Sequence, residues 1–419
     1  MSALHAAYTA LVYAMLPRAL AHLYWRSRQD PAYRLHVGER FGRFNTSGTR
    51  NALWVHAVSV GETRAAEPLI RALQERYPQD RVLLTHMTPT GRATGEALYP
   101  HVLRAYLPYD FPAAAERFLD HFQPRLGILM ETEVWPNLIH ACARRDIPLF
   151  LVNARLSEKS FQRYRRVSGL AHEAFGALTG VCAQSPRDAE RLQALGARNV
   201  TITGNLKFDV APPPDLVAAG IEWRKQFADR RVLLAASTRD GEEALLLDAI
   251  DRIAVPDLLF VIVPRHPQRF DEVAALVSRR GLASVRRSSG AAVTEATRIV
   301  VGDSMGEMAM YYAACDLVFI GGSLLEFGSQ NFIEACAVGK PVLIGPSTYN
   351  FAEAAERAVE AGAAVSVGDA EACAARATEL LTDVDGLRRM ARAALDFSRS
   401  HQGATARVLA AISASRAAG

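Results

Sequence analysis

Residues 54–68 read WVHAVSVGETRAAEP, and the change of pattern within this stretch decides the fold. A mainly apolar run that ends near a glycine is typical of a buried strand, and the residues after Gly61 have the composition of a helix. Glu62 stands where the strand gives way to the helix. Two interpretations of its carboxylate stay open. It stabilises the positive end of a helix, or it is a catalytic base at the carboxyl end of a parallel strand, where open α/β sheets bind ligands.

The same alternation of strands and helices continues on both sides of one proline-rich break. The strand-like runs before the break are RVLLTHM, LRAYLP, LGILM, IPLFLVNA, GVCAQ and VTITG, and those after it are RVLLAAS, LLFVIVP, RIVVGD, DLVFIGGS and KPVLIGP. Strands that alternate with helices predict a parallel, doubly wound sheet with right-handed crossovers. The break, APPPDLVAAG at residues 211–220, contains three consecutive prolines, which stiffen an extended segment and do not fit a helix interior.

The sequence therefore predicts an α/β protein with two Rossmann-like domains that face a central cleft, a usual place for a ligand. The length of 419 residues agrees, because it exceeds what one hydrophobic core usually fills. The predicted divisions are an N-terminal helical segment at residues 1–30, a first domain at 31–210, a linker at 211–220 and a second domain at 221–419. The last helix of the second domain is a candidate to return to the first.

The composition is that of a globular protein and argues against several functions. Hydrophobic residues make up 50% and charged residues 22% of the chain. The formal net charge is +4, without the basic runs and interleaved aromatic residues of a nucleic-acid binder. The five cysteines are scattered, and no HExxH, DxD-like pair or Cys/His cluster occurs. We therefore expect no nucleic-acid partner, no disulfide framework and no tightly held metal.

The N-terminal stretch at residues 3–23, ALHAAYTALVYAMLPRALAHL, is mostly apolar but is interrupted by a histidine, a proline and an arginine. A clean spanning helix needs about 20 uninterrupted apolar residues, and the order of charges is not that of a signal peptide. Tyr24 and Trp25, followed by two arginines, favour the headgroup region of a membrane. We predict an interfacial, membrane-associated helix; the alternative is an ordinary helix packed on its own domain.

A glycine-rich turn follows a predicted strand in the second half of the chain. Residues 321–346 read GGSLLEFGSQNFIEACAVGKPVLIGP. The glycines let the backbone approach a ligand closely, and the helix start after them suits a phosphate. Glu334 would lie one turn into that helix, where its carboxylate can accept hydrogen bonds from ribose hydroxyls. We favour nucleotide binding over a purely structural turn.

Other strand ends in the second half also carry polar residues. Ser237 and Arg239 follow one strand, and Arg265 and His266 follow another. Arginine suits phosphate because its planar fork offers paired donors, although solvated surface arginines remain the alternative. The loop at residues 303–307 precedes a helix and could cradle a nucleobase or cap that helix.

Polar residues likewise follow the strands of the first half. They are Glu131, Glu133, Asn153, Arg155, Asn205 and Lys207. Because the carboxyl ends of parallel strands lie at one edge of the sheet, we expect these side chains to face the predicted cleft. The acids could bind a sugar or fix a catalytic loop.

These motifs, taken in order, resemble the Kdo transferases, which attach 3-deoxy-D-manno-octulosonic acid (Kdo) to lipid A precursor. The matching stretches are HAVSVGE, ETEVWPNLI, NARLSEKSF, GNLKFD, STRDGEE, VPRHPQRF, GDSMGEM and GGSLLE with the following GKPVLIGP. The resemblance implies a metal-independent, inverting glycosyltransferase of the GT-B fold that uses CMP-Kdo and no cofactor. It also implies attachment to the cytoplasmic face of the bacterial inner membrane through the N-terminus.

The resemblance also assigns roles to individual residues. It implies that Glu62 is the catalytic base and Glu131 a second functional acid. We also predict that Ser59, Gly61 and Arg64, the neighbours of Glu62, lie on the acceptor side. The donor-binding residues that the resemblance implies are Arg265, Gly322, Ser323, Asn331 and Glu334, with the loop of Met305, Gly306 and Glu307 near the base. Because of their positions at strand ends, we also predict donor binding by Lys207, Ser237, Arg239 and His266. Gln330 stands where the family usually has histidine, so its role stays open.

Two other functions are compatible with the predicted fold. One is another GT-B sugar-nucleotide enzyme, such as a protein like the UDP-N-acetylglucosamine epimerases, although such an enzyme would not need a hydrophobic N-terminus. The other is a two-lobed binding protein without catalysis, which would normally be exported, whereas the sequence has no recognisable signal peptide.

Overall fold

The computed structural model describes residues 2–46 and 48–417, and the chain divides into two compact units. Unit 1 comprises Met1–Val210 and Gln402–Gly419, and unit 2 comprises Ala211–His401. Each unit is built on its own parallel sheet.

The sheet of unit 1 has seven strands in the order β3-β2-β1-β4-β5-β6-β7, and every neighbouring pair is parallel. The strands are β1 Ala52–His56, β2 Val82–His86, β3 Leu103–Tyr106, β4 Pro124–Met130, β5 Leu149–Ala154, β6 Gly180–Ala183 and β7 Val200–Ile202. All seven were predicted as strands, and the doubly wound α/β fold is confirmed.

Helices cover both faces of the sheet of unit 1; the first two precede β1, and the others connect the strands. They are α1 Ala3–Ala14, α2 Leu16–Gln29, α3 Val60–Ala65, α4 Glu67–Arg76, α5 Pro89–Leu98, α6 Pro112–Phe122, α7 Pro136–Arg144, α8 Glu158–Arg165, α9 Ser168–Gly176 and α10 Pro186–Ala194. Successive residues of β1 point to opposite faces. Trp54 joins the hydrophobic cluster that contains Phe118, and Val55 joins the cluster that contains Ile70. Strands buried on both faces explain why they read as continuous apolar runs.

The sheet of unit 2 also has seven parallel strands, in the order β10-β11-β9-β8-β12-β13-β14. They are β8 Val232–Thr238, β9 Leu259–Pro264, β10 Ser284–Arg286, β11 Ile299–Val301, β12 Leu317–Ile320, β13 Val342–Ile344 and β14 Ala364–Ser366. The helices are α11 Pro214–Arg224, α12 Glu242–Ala249, α13 Phe270–Arg279, α14 Met308–Ala314, α15 Ile333–Ala337, α16 Ala352–Glu360, α17 Ala370–Thr382 and α18 Val384–Ser400. The edge strands β10 and β14 were not predicted.

The proline-rich segment at residues 211–220 is mostly helical, so the predicted linker was wrong for most of its length. Pro214 is the first residue of α11. Proline is tolerated in a first helical turn, because the N–H groups of that turn have no partner within the helix. Gly220 then lies against α14, where an added Cβ would be 2.3 Å from the carbonyl oxygen of Met310.

The last helix, α19 Ala404–Ala417, belongs to unit 1, so unit 2 ends at His401 rather than at residue 419. The carboxylate of Asp209 accepts hydrogen bonds from the backbone N–H groups of Gly403, at 2.7 Å, and Thr405, at 2.6 Å. Val408 and Ile412 are buried in the same hydrophobic cluster as Val55 and Ile70.

The predicted N-terminal helical segment consists of two helices, α1 and α2, that meet at Met15. Within residues 2–46 and 48–417, neither these helices nor any other is long and apolar enough to cross a membrane. The helix α1 contacts the rest of unit 1 through polar side chains and through the ring of Tyr13, which packs against that of Phe111. Tyr8 donates a hydrogen bond of 2.8 Å to Asp110, and both His5 and Thr9 contact the amide oxygen of Asn137, at 2.8 and 2.9 Å.

Candidate functional site

Glu62 lies in the first turn of α3, immediately beyond the carboxyl end of β1. The N-cap residue Ser59 donates a hydrogen bond of 3.0 Å to Oε1 of Glu62, and the backbone N–H of Val58 donates one of 2.8 Å to Oε2. These contacts resemble a reciprocal capping interaction and also fix the direction of the carboxylate. Burial, and the negative charge of Glu131, raise the pKa of Glu62 to about 8.

Glu131 begins the loop that follows β4, the neighbour of β1 in the sheet. Its φ of 58° lies in the left-handed region, which is uncommon for glutamate. Its Oε1 atom is 3.1 Å from Nζ of Lys207. Burial alone would raise the pKa of Glu131, but Lys207 and Arg155 outweigh it and lower the pKa below its ordinary value. Glu131 is therefore ionised at neutral pH.

Lys207 was predicted among the donor-binding residues, but the structure places it in unit 1 with its ammonium group on Glu131. All the other predicted donor-binding residues belong to unit 2. The loop that carries Lys207 is anchored by Asn153, whose Oδ1 accepts a hydrogen bond of 3.0 Å from the backbone N–H of Leu206. Asn153 itself has a φ of 55° at the end of β5.

Two buried histidines beneath the Glu62 loop were not predicted. His86 contacts the carbonyl oxygen of Ala57 through Nδ1 at 2.9 Å, and His56 contacts Oγ1 of Thr85 at 2.9 Å. Burial lowers the pKa of His56 to about 3 and that of His86 to about 4, so both are neutral. Because the His86 ring is neutral, its Nδ1–H can donate to the Ala57 carbonyl and support the loop that leads to Glu62.

The three residues predicted on the acceptor side are neighbours of Glu62 in the chain and have different structural roles. Ser59 is the N-cap, and Gly61 and Arg64 are exposed residues of α3. Gly61 has an ordinary negative φ within the helix, so the chain does not need a glycine there for a sharp turn. A Cβ added there would meet only Oγ of Ser59, at 3.9 Å.

The predicted donor-binding residues of unit 2 include a group of cationic and polar side chains beyond β8 and β9. Nη1 of Arg239 is 3.0 Å from Nε2 of His266, and Nε of Arg265 donates a hydrogen bond of 3.2 Å to Oε1 of Gln330. Burial and the neighbouring arginines lower the pKa of His266, so its ring is neutral and accepts from Arg239. The Arg239 guanidinium also lies over the ring of Phe327, 4.6 Å from the centroid. Gln330 thus orients Arg265.

The loops after β8 and β12 approach each other at the same edge of the sheet. Ser237 has a φ of 58°. A Cβ added to Gly321 would lie 2.5 Å from the carbonyl oxygen of Ser237, so only glycine fits. Ser323 does not present its hydroxyl to a ligand: it is buried, donates to the Ile320 carbonyl and accepts a 2.8 Å hydrogen bond from the N–H of Gly345.

Asn331 and Glu334 lie at the start of α15, which begins at Ile333 rather than at Asn331. Glu334 is therefore in the first turn of the helix and not one turn into it. Oδ1 of Asn331 accepts a hydrogen bond of 3.2 Å from the N–H of Ile333, and its Nδ2 donates one of 2.9 Å to Glu334. The two side chains that are predicted to bind the nucleotide are thus held together by a hydrogen bond between them.

The predicted nucleobase loop has fixed ends and an exposed centre. The carboxylate of Glu307 accepts a hydrogen bond of 2.5 Å from Ser304 and pairs with Arg287 at 3.3 Å. Met305 is 57% exposed, and Gly306, with a φ of 82°, has no atom near a Cβ position. Among the described residues, no group of three or more His, Cys, Asp or Glu side chains is placed to hold a metal ion.

Two parallel α/β units with polar residues at the carboxyl ends of their strands are the architecture of the GT-B fold. Residues 244–396 match the family model of group 1 glycosyl transferases. Residues 35–210 match the model of 3-deoxy-D-manno-octulosonic-acid transferases, the kdotransferases.

Curated relatives extend this similarity over nearly the whole chain. The 3-deoxy-D-manno-octulosonic acid transferase of Bordetella pertussis is 43% identical, with 96% of this chain and 98% of the relative covered. The corresponding protein of Haemophilus influenzae is 35% identical, with 96% of both chains covered. The chain therefore belongs to the Kdo transferase family and is a glycosyltransferase.

A solved structure with a similar fold supports the description of the fold. UDP-GlcNAc 2-epimerase from Neisseria meningitidis superposes with a TM-score of 0.60 over 86% of this chain and 99% of its own, at 16% identity. At that identity the similarity concerns the fold alone and does not favour the alternative function of an epimerase.

Proposed function

We propose that this protein transfers Kdo from CMP-Kdo to a lipid A precursor in lipopolysaccharide core biosynthesis, with Glu62 as the general base. The observation that carries the proposal is the environment of Glu62: a carboxylate aimed by Val58 and Ser59, with its pKa raised to about 8. A base with a pKa near the working pH is half ionised and still accepts a proton strongly.

The proposed reaction is a single displacement. The acceptor hydroxyl loses its proton to Glu62 as its oxygen forms a bond to the anomeric carbon of Kdo. The bond between that carbon and the phosphate oxygen breaks, and CMP leaves with the electron pair. Glu131 remains ionised beside Lys207 and acts through its charge, which keeps the proton affinity of Glu62 high.

The negative charge that develops on CMP requires stabilisation, and unit 2 offers it through side chains. Arg239 and Arg265 lie beyond neighbouring strands and supply guanidinium groups suited to phosphate. In this proposal, Asn331 and Glu334 bind the ribose. The loop from Met305 to Glu307 binds the nucleobase. These arginines supply the positive charge that a metal would otherwise provide, so we propose that transfer needs neither metal nor cofactor and expect its rate to survive EDTA.

We further propose that the enzyme works at the cytoplasmic face of the bacterial inner membrane. The polar side chains of His5, Tyr8 and Thr9 contact the rest of unit 1, whereas Leu11 and Met15, four residues apart, are 57% and 51% exposed. Residues 3–15 include no Asp, Glu, Lys or Arg. An exposed apolar face next to a helix that carries Trp25 and arginines suits the interface of an anionic membrane.

The direct test is incubation of the purified protein with CMP-Kdo and lipid A precursor, followed by measurement of CMP release and of the product mass. We expect CMP release only when both substrates are present, and a product heavier than the acceptor by one or more Kdo units. Rapid CMP release without an acceptor, or no change in acceptor mass, would contradict the proposal.

A further inference from the structure

A fully buried carboxylate connects two of the loops that carry predicted donor-binding residues. Glu242, the first residue of α12, is 0% exposed. Its Oε2 accepts hydrogen bonds from the backbone N–H groups of Arg239, at 2.8 Å, and Gly322, at 2.6 Å. Its Oε1 accepts one of 2.9 Å from the N–H of Leu324. The partners come from the loop after β8 and from the loop after β12.

These N–H groups converge from two loops and form a concavity, here called the glycine-rich nest, that suits an anion such as phosphate. It is related to the anion-binding nests that successive backbone N–H groups form in glycine-rich turns. The sequence predicted that the turn at Gly321 and Gly322 would receive a ligand, and the φ of 69° at Gly322 is a left-handed conformation that favours glycine. In the structure, the group that occupies this nest is the carboxylate of Glu242.

We propose that Glu242 is a positioning residue, a built-in anion that occupies the glycine-rich nest and holds both loops in the geometry that binds the donor. Arg239 shows how this would operate. Its backbone N–H is fixed by Glu242, while its guanidinium extends to His266 and Phe327. The donor phosphate is then bound by the arginine side chains and not by the glycine-rich turn. The proposal rests on the donor site proposed above.

Glu242→Gln tests the role of the charge. Glutamine keeps the size of the side chain but replaces one acceptor oxygen with an NH₂ group that faces backbone N–H donors. In full-length protein, we expect the Kd for CMP, measured by calorimetry, to rise about 10-fold, the equivalent of roughly 1.4 kcal/mol. The KM for CMP-Kdo should rise in parallel, with kcat at saturating donor within about threefold of wild type, because Glu242 does not touch the reacting atoms.

Glu243→Gln is the matched control. Glu243 is also 0% exposed, but its Oε1 accepts from two side chains, Thr238 at 2.8 Å and Arg269 at 2.6 Å. We expect this variant to lose thermal stability while its Kd for CMP stays within about twofold of wild type. A wild-type Kd in folded Glu242→Gln, or an equal rise in both variants, would overturn the proposal.

Glu242→Asp keeps the test decisive if the glutamine variant does not fold. Aspartate retains the charge but withdraws it by one methylene, so we expect a Kd for CMP at least threefold above wild type; an unchanged Kd would overturn the proposal. A wild-type protein that does not bind CMP would instead contradict the proposed donor site. The two failures are therefore distinguishable.

Discussion

At the scale of single residues, the central feature is the pair of acids with opposite pKa shifts. Burial and Glu131 raise the pKa of Glu62 to about 8, whereas Lys207 and Arg155 overcome the effect of burial and keep Glu131 ionised. Pairs of titratable groups whose environments separate their pKa values commonly mark acid and base roles.

The rate of transfer should therefore depend on a single ionisation near pH 8. A general base must be unprotonated, so kcat/KM should rise with pH, reach half of its maximum near pH 8 and level off at higher pH. Glu131→Gln removes the neighbouring negative charge, lowers the pKa of Glu62 and should move the midpoint to lower pH. Glu133→Gln is the control and should move it less, because Glu133 contributes less to the raised pKa. An identical midpoint in wild type and Glu131→Gln would contradict this coupling.

Glu334→Ala should weaken the binding of CMP. A charge-assisted hydrogen bond contributes roughly 1.5–3 kcal/mol, so we expect the Kd from calorimetric titration to rise by about 10-fold or more. Glu326→Ala, an exposed change in the preceding loop, is the control. An unaltered Kd in folded Glu334→Ala would assign Glu334 to helix capping with Asn331 alone.

The residue types of the site could be predicted more fully than their geometry. Glu62, Arg265 and Glu334 follow strands whose apolar runs are unmistakable. Glu242 escaped prediction, because nothing in its local sequence shows that a distant loop will bring N–H donors to it. The buried pair His56 and His86 escaped for the same reason: burial is a property of the folded sheet.

At the scale of secondary-structure elements, twelve of the fourteen strands could be predicted from apolar runs. The two that escaped, β10 and β14, have three residues each and lie at opposite edges of the sheet of unit 2. Their sequences, SVR and AVS, are too short and too mixed to form an apolar run. The helix α11 was misjudged because its prolines precede or occupy the first turn, where they are compatible with a helix.

Membrane binding should depend on the exposed apolar face of α1. Leu11→Glu replaces a leucine that is 57% exposed, and we expect a severalfold loss of cosedimentation with anionic lipid vesicles, because the helix loses apolar area at the interface. Ile221→Glu in α11, where the isoleucine is 56% exposed, is the matched control and should leave binding unchanged. Equal binding by both variants would favour the view of α1 as an ordinary surface helix.

At the scale of the whole molecule, each unit has its own core, and unit 1 is completed by the last helix of the chain. Ile412 in α19 is 1% exposed, and truncating a buried isoleucine to alanine costs about 2–5 kcal/mol. Ile412→Ala should therefore lower the stability of unit 1 and leave the Kd for CMP unchanged. A weakened affinity for CMP would show that the donor site depends on unit 1.

A variant with a truncated isoleucine in the core of unit 2 is the control, and calorimetry measures the thermal unfolding of both variants. Ile262 in β9 of unit 2 is 0% exposed. Because CMP stabilises only the unit that binds it, Ile262→Ala should lower the thermal transition that CMP raises. Ile412→Ala should lower the other transition.

The rate of a single turnover by Glu62→Gln tests the account most directly. A carboxylate that only stabilises a helix end contributes at most about 1 kcal/mol of stability, so its loss would leave turnover nearly intact. Because an amide cannot take up the acceptor proton, we predict a folded variant with a wild-type Kd for CMP and a transfer rate reduced about 10²-fold or more. Near-normal release of CMP by the folded variant, in the presence of the lipid acceptor, would contradict the assignment of Glu62 as the general base.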